Sequence, residues 1–598
     1  MSTPYTAPLR EMSFALKELG GLDAVLAQSD GSELSADLVE PILEEAGRFA
    51  SEVLAPLNAP GDREGCRWQD GAVRTPEGFA AAYASFCETG WHGMPAEVEL
   101  GGQGMPTLLS TAVLEMWKSA NHAFSLCQML TLGAVEAIRR HATPELQARY
   151  LPAMVAGRWT GTMNITEPQA GSDLSAIRSR AVPEGEHYRI TGTKIFITWG
   201  EHDLAENIVH LVLARLPDAP PGVKGLSLFL CPKVLVNADG SLGARNDLVC
   251  ASIEHKLGIH ACSTAVMAFG EQGGATGWLV GAPHEGLACM FTMMNHARLN
   301  VGLEGLALSE RAYQQARAYA LDRVQGRGVG LGPDGPRTII GHPDVRRMLM
   351  AMKSRVEAMR GLAYYTAGRM DRAHGHPDAA QRAEAQALVD LLTPIVKAWC
   401  TEQAQGITAL GVQVHGGMGF IEETGAAQHQ RDARITTIYE GTTGIQANDL
   451  LNRKLVRDGG ATLGRLLREV QDEARGLAGH GDATLRAIGD ALLRAAASLE
   501  AATAHLLVRH AATPRESFAG AVPYLMLCGT VLGGWLLARG AEAAVTQLAS
   551  GSGDTDFLAA KRSTAWHYAM NVLPEAAGLG EIVCHGAASV LALDDAQF

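Results

Sequence analysis

The chain of 598 residues carries 50 Lys and Arg against 64 Asp and Glu, a net charge of −14, with 47% apolar and 19% charged residues. That length exceeds what one hydrophobic core can serve and implies roughly three or four domains, in the composition range of soluble globular proteins. The acidic excess is spread without runs, and no basic patch interleaved with aromatics occurs, which argues against nucleic acid as the main partner.

At the N-terminus, Arg10 and Glu11 precede any apolar run, so no signal peptide is expected. The ten cysteines are widely spaced, without CxxC or Cys/His clusters of metal-ligand spacing, and read as reduced thiols of a cytoplasmic protein with no metal site. The first 160 residues or so carry apolar residues at three- and four-residue spacing in PILEEAGRFASEVLAPL and STAVLEMWKSANHAFSL, a helical block interrupted by a loop at PAEVELGGQGMP. From about residue 161 to 283 the pattern changes to short strand-like runs, HYRITGTKIFIT, NIVHLVLARL, GLSLFLCP and STAVMAF, separated by turn residues.

Helical periodicity returns near Met290 and runs to about residue 458. In HPDVRRMLMAMKSRVEAM, Pro343 suits a first-turn position, and Val345, Met348, Leu349, Met352, Val356 and Met359 form one apolar face read as core. Residues 459–598 form a last Ala- and Leu-rich helical block. Within it, Phe518 to Ala538 carries no charge until Arg539. Its alternatives are a buried bundle helix, the preferred one, and a membrane-associating segment. The pattern predicts a mainly α fold with an inserted β domain.

Several short motifs carry candidate chemistry. MNITEPQAGSD offers hydroxyls at Thr166 and Ser172 and close backbone approach at Gly171, suited to a pyrophosphate or flavin edge and equally to an ordinary turn. In TGTKIFITWG, Phe196 can lie against a flat ring and Thr198 can bond its edge. Asn295 and Arg298 place an amide and a cation on one helical turn, a pair that could hold an anionic ligand. Gly416 and Gly417, after Gln413, permit either a second ligand contact or a close helix crossing. In ITTIYEGTTGIQANDL, Glu440 stands among Ile435, Ile438, Tyr439 and Ile445. Desolvation there would raise its pKa toward neutrality, as a base for a weakly acidic C–H requires. Thr443 and Gln446 have capping-box spacing and read as the start of a helix that fixes the loop.

Together, TEPQAGSD, FITWG, NHAR, YALDRVQGR, QVHGGMGF and RDARITTIYEGTTGIQ make the sequence resemble the flavin-dependent acyl-CoA dehydrogenases over roughly residues 40 to 455. The flanking parts look like the longer bacterial branch, which includes broad-range fatty acyl-CoA and 3-methylmercaptopropionyl-CoA dehydrogenases. The resemblance implies a helical domain, a small β-barrel or sheet domain, a four-helix-bundle domain and a C-terminal helical extension. It implies FAD lined by Met163, Ile165, Thr166, Gly171, Ser172, Phe196, Thr198 and Thr442. Arg323, Gln325, Gln413, Gly416 and Gly417 would reach the flavin of a neighbouring subunit, making a homo-oligomer, with a dimer favoured. Ser172, Asn295, Arg298, Tyr439 and Gly441 would contact the acyl-CoA substrate, and Glu440 would be the catalytic base. His415 and Met418 depart from the residues relatives usually carry, and the loop after Arg327 is longer than in short members.

The implied reaction is α,β-dehydrogenation to a trans-2-enoyl-CoA in fatty-acid β-oxidation, with electrons passed to an electron-transferring flavoprotein. An acyl-CoA oxidase of the same fold, a 3-methylmercaptopropionyl-CoA dehydrogenase and a non-catalytic helical scaffold are the alternatives. Retention of Glu440 argues against the scaffold.

Overall fold

The computed structural model describes residues 4–28, 34–332, 335 and 337–598, apart from the Asn295 side chain. They form two compact units that interleave along the chain. One comprises Met1–Gly47, Pro106–Ser119 and Val301–Phe598, and the other Arg48–Met105 and Ala120–Asn300.

The second unit is built on an eight-stranded sheet. His187–Thr198 pairs Ala275–Val280, which pairs Leu226–Pro232, then Asn207–Arg215. Arg180–Glu184 bridges that last strand back to His187–Thr198, so five strands close on themselves as a small barrel. Asn207–Arg215 is buried at every position but its last, because Trp159–Asn164 and Leu226–Pro232 flank it on both edges. The four strand-like runs read from the sequence are all strands. The sheet begins slightly earlier than expected, with Trp159–Asn164 lying parallel to Asn207–Arg215. A hairpin of Arg67–Gln69 and Ala72–Arg74, unforeseen in the helical block, packs Val73 into the barrel core with Ile190, Ile197 and Phe229.

In the first unit, Pro343–Gly375 and Ala379–His415 form a helical hairpin, with Pro343 in the first turn and Met348, Leu349, Met352, Val356 and Met359 buried. Two helices, Ala483–Arg509 and Ala521–Ser550, are long and apolar enough to cross a membrane; 83% of the apolar window of the second is buried inside the protein. Its glycines explain the composition: a Cβ at Gly529 would stand 2.1 Å from the Trp399 ring, and one at Gly534 would stand 2.6 Å from Leu573. The apolar stretch is thus a core helix against which large side chains of its neighbours lie flat.

Buried histidines tie the barrel together through neutral rings. Thr160 meets His202 at 2.9 Å and Thr162 meets His210 at 2.7 Å. Burial first, and then the Lys233 charge, pull both imidazoles down to about 3. A base whose folded pKa is depressed keeps its stabilising effect above its unfolded pKa and loses it as pH falls toward the folded value. Each pH unit below about 6.5 therefore costs the fold ~1.4 kcal/mol per histidine. Denaturant midpoints measured at pH 7 and pH 5 are expected to fall clearly at the lower pH.

Candidate active site

In the second unit, the chain leaves Trp159–Asn164 and turns through residues 165–173 around one buried acid, Glu167. Its carboxylate accepts from the amides of Arg178 (2.7 Å) and Ser179 (3.1 Å), the Ser179 hydroxyl (2.6 Å), Gln169 (2.6 Å) and the Lys194 ammonium (2.8 Å). Burial pushes this carboxyl up, but Lys194 and the hydrogen bonds outweigh it and hold it at about 2. Lys194 also donates to the Ile165 carbonyl at 3.0 Å, and the Ile195 amide donates to the Thr166 carbonyl at 2.9 Å. These bonds join two motifs some 30 residues apart, and neither the role of Glu167 nor that of Lys194 was read from the sequence. A signal was available, because an acid between Thr166 and Pro168 has no solvated charge beside it.

The pairing with Thr264–Phe269 slips between Ala265↔Ile197 and Met267↔Lys194, a β-bulge. The bulge puts Phe196 at φ 61° and leaves the residue 56% exposed. Left-handed backbone at a bulky residue is strained by about 1–3 kcal/mol and persists where the surroundings over-determine it. Thr198 returns to register opposite Thr264 and is half-buried. Met163 and Thr166 are half-buried, Ile165 is buried, and Gly171 and Ser172 are exposed with open space beside Gly171. An exposed ring, nearby hydroxyls and an open glycine loop fit a flavin ring and its phosphates. Arg298, in helix Gly286–Asp322, is buried, unlike the more frequent surface arginine; the Asn295 side chain lies outside the described residues.

In the first unit, Glu440 sits at φ 55° and Gly441 at φ 88°, a reversal that ends where helix Thr443–Asn448 begins. Three buried groups hold this turn. Gln446 donates to the Glu440 carbonyl at 2.9 Å, Lys397 donates to the Gly441 carbonyl at 2.7 Å, and the Tyr439 hydroxyl donates to Glu304. The capping box expected of Thr443 and Gln446 does not form. Thr442 caps the helix, accepting from the Ile445 amide at 3.3 Å, while Thr443 donates to Glu402 at 2.5 Å. With N-cap at Thr442, Gln446 falls one position too late for the box and reaches back to Glu440 instead.

Glu440 is half-buried, less enclosed than its isoleucine neighbours suggested. The tight turn Arg434–Thr437 directs Thr436 and Thr437 inward, and Ile438 is left exposed. Gln413, Gly416 and Gly417 are exposed at the end of helix Ala379–His415, and Arg323 and Gln325 are exposed beyond the end of helix Gly286–Asp322. Tyr319 stacks on His415 at 4.5 Å and so joins these two helix ends. The unusual His415 is explained by that stack and by its bond to the Gly411 carbonyl at 2.7 Å.

Successive parts of the chain match the acyl-CoA dehydrogenase N-terminal domain (residues 39–158), middle domain (162–271) and C-terminal domain (284–455), and an acetyl-CoA dehydrogenase C-terminal-like domain (466–594). The chain belongs to the acyl-CoA dehydrogenase family. It is 50% identical to 3-methylmercaptopropionyl-CoA dehydrogenase of Ruegeria pomeroyi over 96% of each chain. It is 36% identical to the broad-specificity linear acyl-CoA dehydrogenase FadE5 of Mycobacterium tuberculosis, over 99% of this chain and 100% of that one. Among solved structures, Caenorhabditis elegans ACDH-11 in complex with C11-CoA superposes with a TM-score of 0.75 at 20% identity, covering 96% of this chain and 92% of that one, a likeness of fold. As an acyl-CoA dehydrogenase the protein is an FAD-dependent oxidoreductase acting on CH–CH donors.

Two substitutions test the geometry. A Cβ at Gly441 would stand 2.7 Å from the Gln446 amide nitrogen, in backbone that side chains disfavour. Gly441→Ala is expected to lower the rate of flavin reduction at least tenfold while FAD stays bound. Glu167→Gln leaves the Lys194 ammonium buried without its carboxylate. That variant is expected to lose FAD on dilution and gel filtration far more readily than wild type, with unchanged far-UV circular dichroism.

Proposed function

We propose that Glu440 is the base that takes the α-proton of an acyl-CoA thioester, the β-hydrogen leaving as hydride and the product being a trans-2-enoyl-CoA. The observation that carries this reading is the turn itself, a carboxylate held in left-handed backbone by bonds from Gln446 and Lys397 to the two carbonyls around it. Bound FAD supplies the hydride acceptor. Met163, Ile165, Thr166, Gly171, Ser172, Phe196, Thr198 and Thr442 would hold that cofactor, and Arg298 and Gly441 would contact the substrate, the Tyr439 hydroxyl being taken by Glu304. A thioester α-hydrogen is too weakly acidic to leave at neutral pH without stabilisation of the forming enolate, a task for the Glu440 amide in the same turn.

The electrons pass to an electron-transferring flavoprotein, and the reaction serves fatty-acid β-oxidation in the cytoplasm, a compartment that suits ten free thiols. The exposure of Arg323, Gln325, Gln413, Gly416 and Gly417 supports a dimer in which these residues meet a neighbouring subunit's flavin. A second reading, dehydrogenation of 3-methylmercaptopropionyl-CoA, is favoured by the 50% identity to the enzyme of that name, against 36% to the linear-chain enzyme.

The protein is expected to be yellow as purified. Glu440→Gln should keep FAD and lose nearly all bleaching of the flavin by acyl-CoA; full bleaching in that variant would sink the base assignment. A panel running from butyryl-CoA to long-chain acyl-CoA, with methylthiopropionyl-CoA included, ranks the two substrate readings by bleaching rate. Peroxide formed in air as fast as an anaerobic acceptor is reduced would show an oxidase instead.

A further inference from the structure

The catalytic turn rests on a buried ion pair. Lys118, near the end of helix Thr107–Ala120, lies 3.4 Å from Glu304 on helix Gly286–Asp322, and both side chains are 0% exposed. The other carboxylate oxygen of Glu304 accepts the hydroxyl of Tyr439, the residue before Glu440. Nothing here has room to adjust. A Cβ at Gly302 would meet Val396 at 2.7 Å, and one at Gly305 would meet the Cys400 carbonyl at 2.6 Å. The same stretch of helix Ala379–His415 carries Lys397, whose ammonium bonds the Gly441 carbonyl.

Two fully buried charges are costly to desolvate, and an apolar pair of similar volume would often serve stability as well or better. Their presence at this place points to a role that apolar side chains cannot fill. A carboxylate without its counter-ion in such a place would take up a proton, whereas beside Lys118 it stays an acceptor of fixed polarity. Burial pulls the Lys118 amine below its usual range, and Glu304 pulls it back.

We infer that Glu304 and Lys118 are positioning residues for the reaction: Glu304, kept an acceptor by Lys118, fixes the Tyr439 ring and through it the left-handed conformation that aims Glu440. This rests on the assignment of Glu440 as base. The strained φ of Glu440 is set from both sides, by Tyr439 before it and by Gln446 and Lys397 after it. Releasing the Tyr439 side removes one of the three bonds that hold this backbone and leaves the other two in place.

The test uses FAD-loaded enzyme and the fastest acyl-CoA of the panel under anaerobic single turnover. Tyr439→Phe removes only a hydroxyl and is expected to cut the limiting rate of flavin bleaching about tenfold, roughly what the loss of one good hydrogen bond costs. The half-saturating substrate concentration, FAD content and melting temperature should stay near wild type. Glu304→Ala strands the Lys118 charge and risks misfolding, so the informative companion is Glu304→Gln with Lys118→Met. That pair removes both charges, keeps an acceptor for the tyrosine and is expected to recover most of the wild-type rate. Adding Tyr439→Phe to it should return the rate to that of Tyr439→Phe alone. Wild-type bleaching by Tyr439→Phe overturns the proposal, as does a loss confined to half-saturation, which would mark a substrate contact instead. Glu440→Gln in parallel separates the two claims. If it bleaches at full rate the base assignment fails; if it is inactive while Tyr439→Phe is fully active, only the positioning role fails.

Discussion

A side chain that must remove a proton from carbon has to be held where the proton is, and a half-exposed glutamate in a loop is not held by its own backbone. Here Glu440 occupies a left-handed conformation that costs about 1–3 kcal/mol for a residue with a Cβ. Three hydrogen bonds with buried groups offset that cost: the Tyr439 hydroxyl donates to Glu304, and the carbonyls of Glu440 and Gly441 accept from Gln446 and Lys397. A hydrogen bond from a charged donor such as Lys397 contributes roughly 1.5–3 kcal/mol, and neutral ones about 1 kcal/mol. The sum exceeds the strain, so the turn is the stable state of the loop and not a minor conformer. Helices Gly286–Asp322 and Ala379–His415 supply two of the three groups, which makes the rigidity of their contact a condition for holding the turn.

The barrel unit uses the same arrangement at a different residue. Phe196 is likewise left-handed, and the bulge that puts it there is stitched to the neighbouring loop by Lys194, Glu167 and the Ile195 amide. Glu167 accepts five hydrogen bonds, so its charge is spent entirely on loop geometry. In both units an ordinary sequence signal, an aromatic or an acid, becomes useful only because buried polar groups force its backbone into a sparsely populated region.

That division explains what could be read in the sequence. Strands such as NIVHLVLARL and the helix begun by Pro343 are legible because burial is written in periodicity and in turn residues. The residues of the loop at 165–173 and of the turn at Glu440 are legible because they cluster in short motifs. Their supports are not, since Lys118 and Glu304 stand 186 positions apart and Glu304 and Tyr439 stand 135 apart. Thr442 in place of Thr443 as the helix cap is a one-residue error of the kind spacing alone invites, because both are threonines. The inward turn of Thr436 and Thr437, with Ile438 outside, defeats hydrophobicity as a guide to burial in a stretch too short to have a period.

The parts outside the family's shorter core are joined to the bundle by the same means. Lys561 of the last block bonds Glu11 from the N-terminal arm and Glu357 of helix Pro343–Gly375, each at 2.7 Å, while Phe14 meets Phe557 edge-on. Burial pushes the Glu11 carboxyl up, but Lys561 and Lys353 outweigh it and hold it at about 2, so the junction stays charged throughout the neutral range. Apolar contact alone discriminates weakly between registers along the uncharged part of helix Ala521–Ser550. A buried cation that must reach two particular acids admits one arrangement. The glycines that seat Trp399 and Leu573 then require that same arrangement, because only there do the large side chains find a face without Cβ atoms. Buried charge and close packing together hold the added block, as they hold the Glu440 turn, where Lys118 and Glu304 lie beside the close approaches at Gly302 and Gly305.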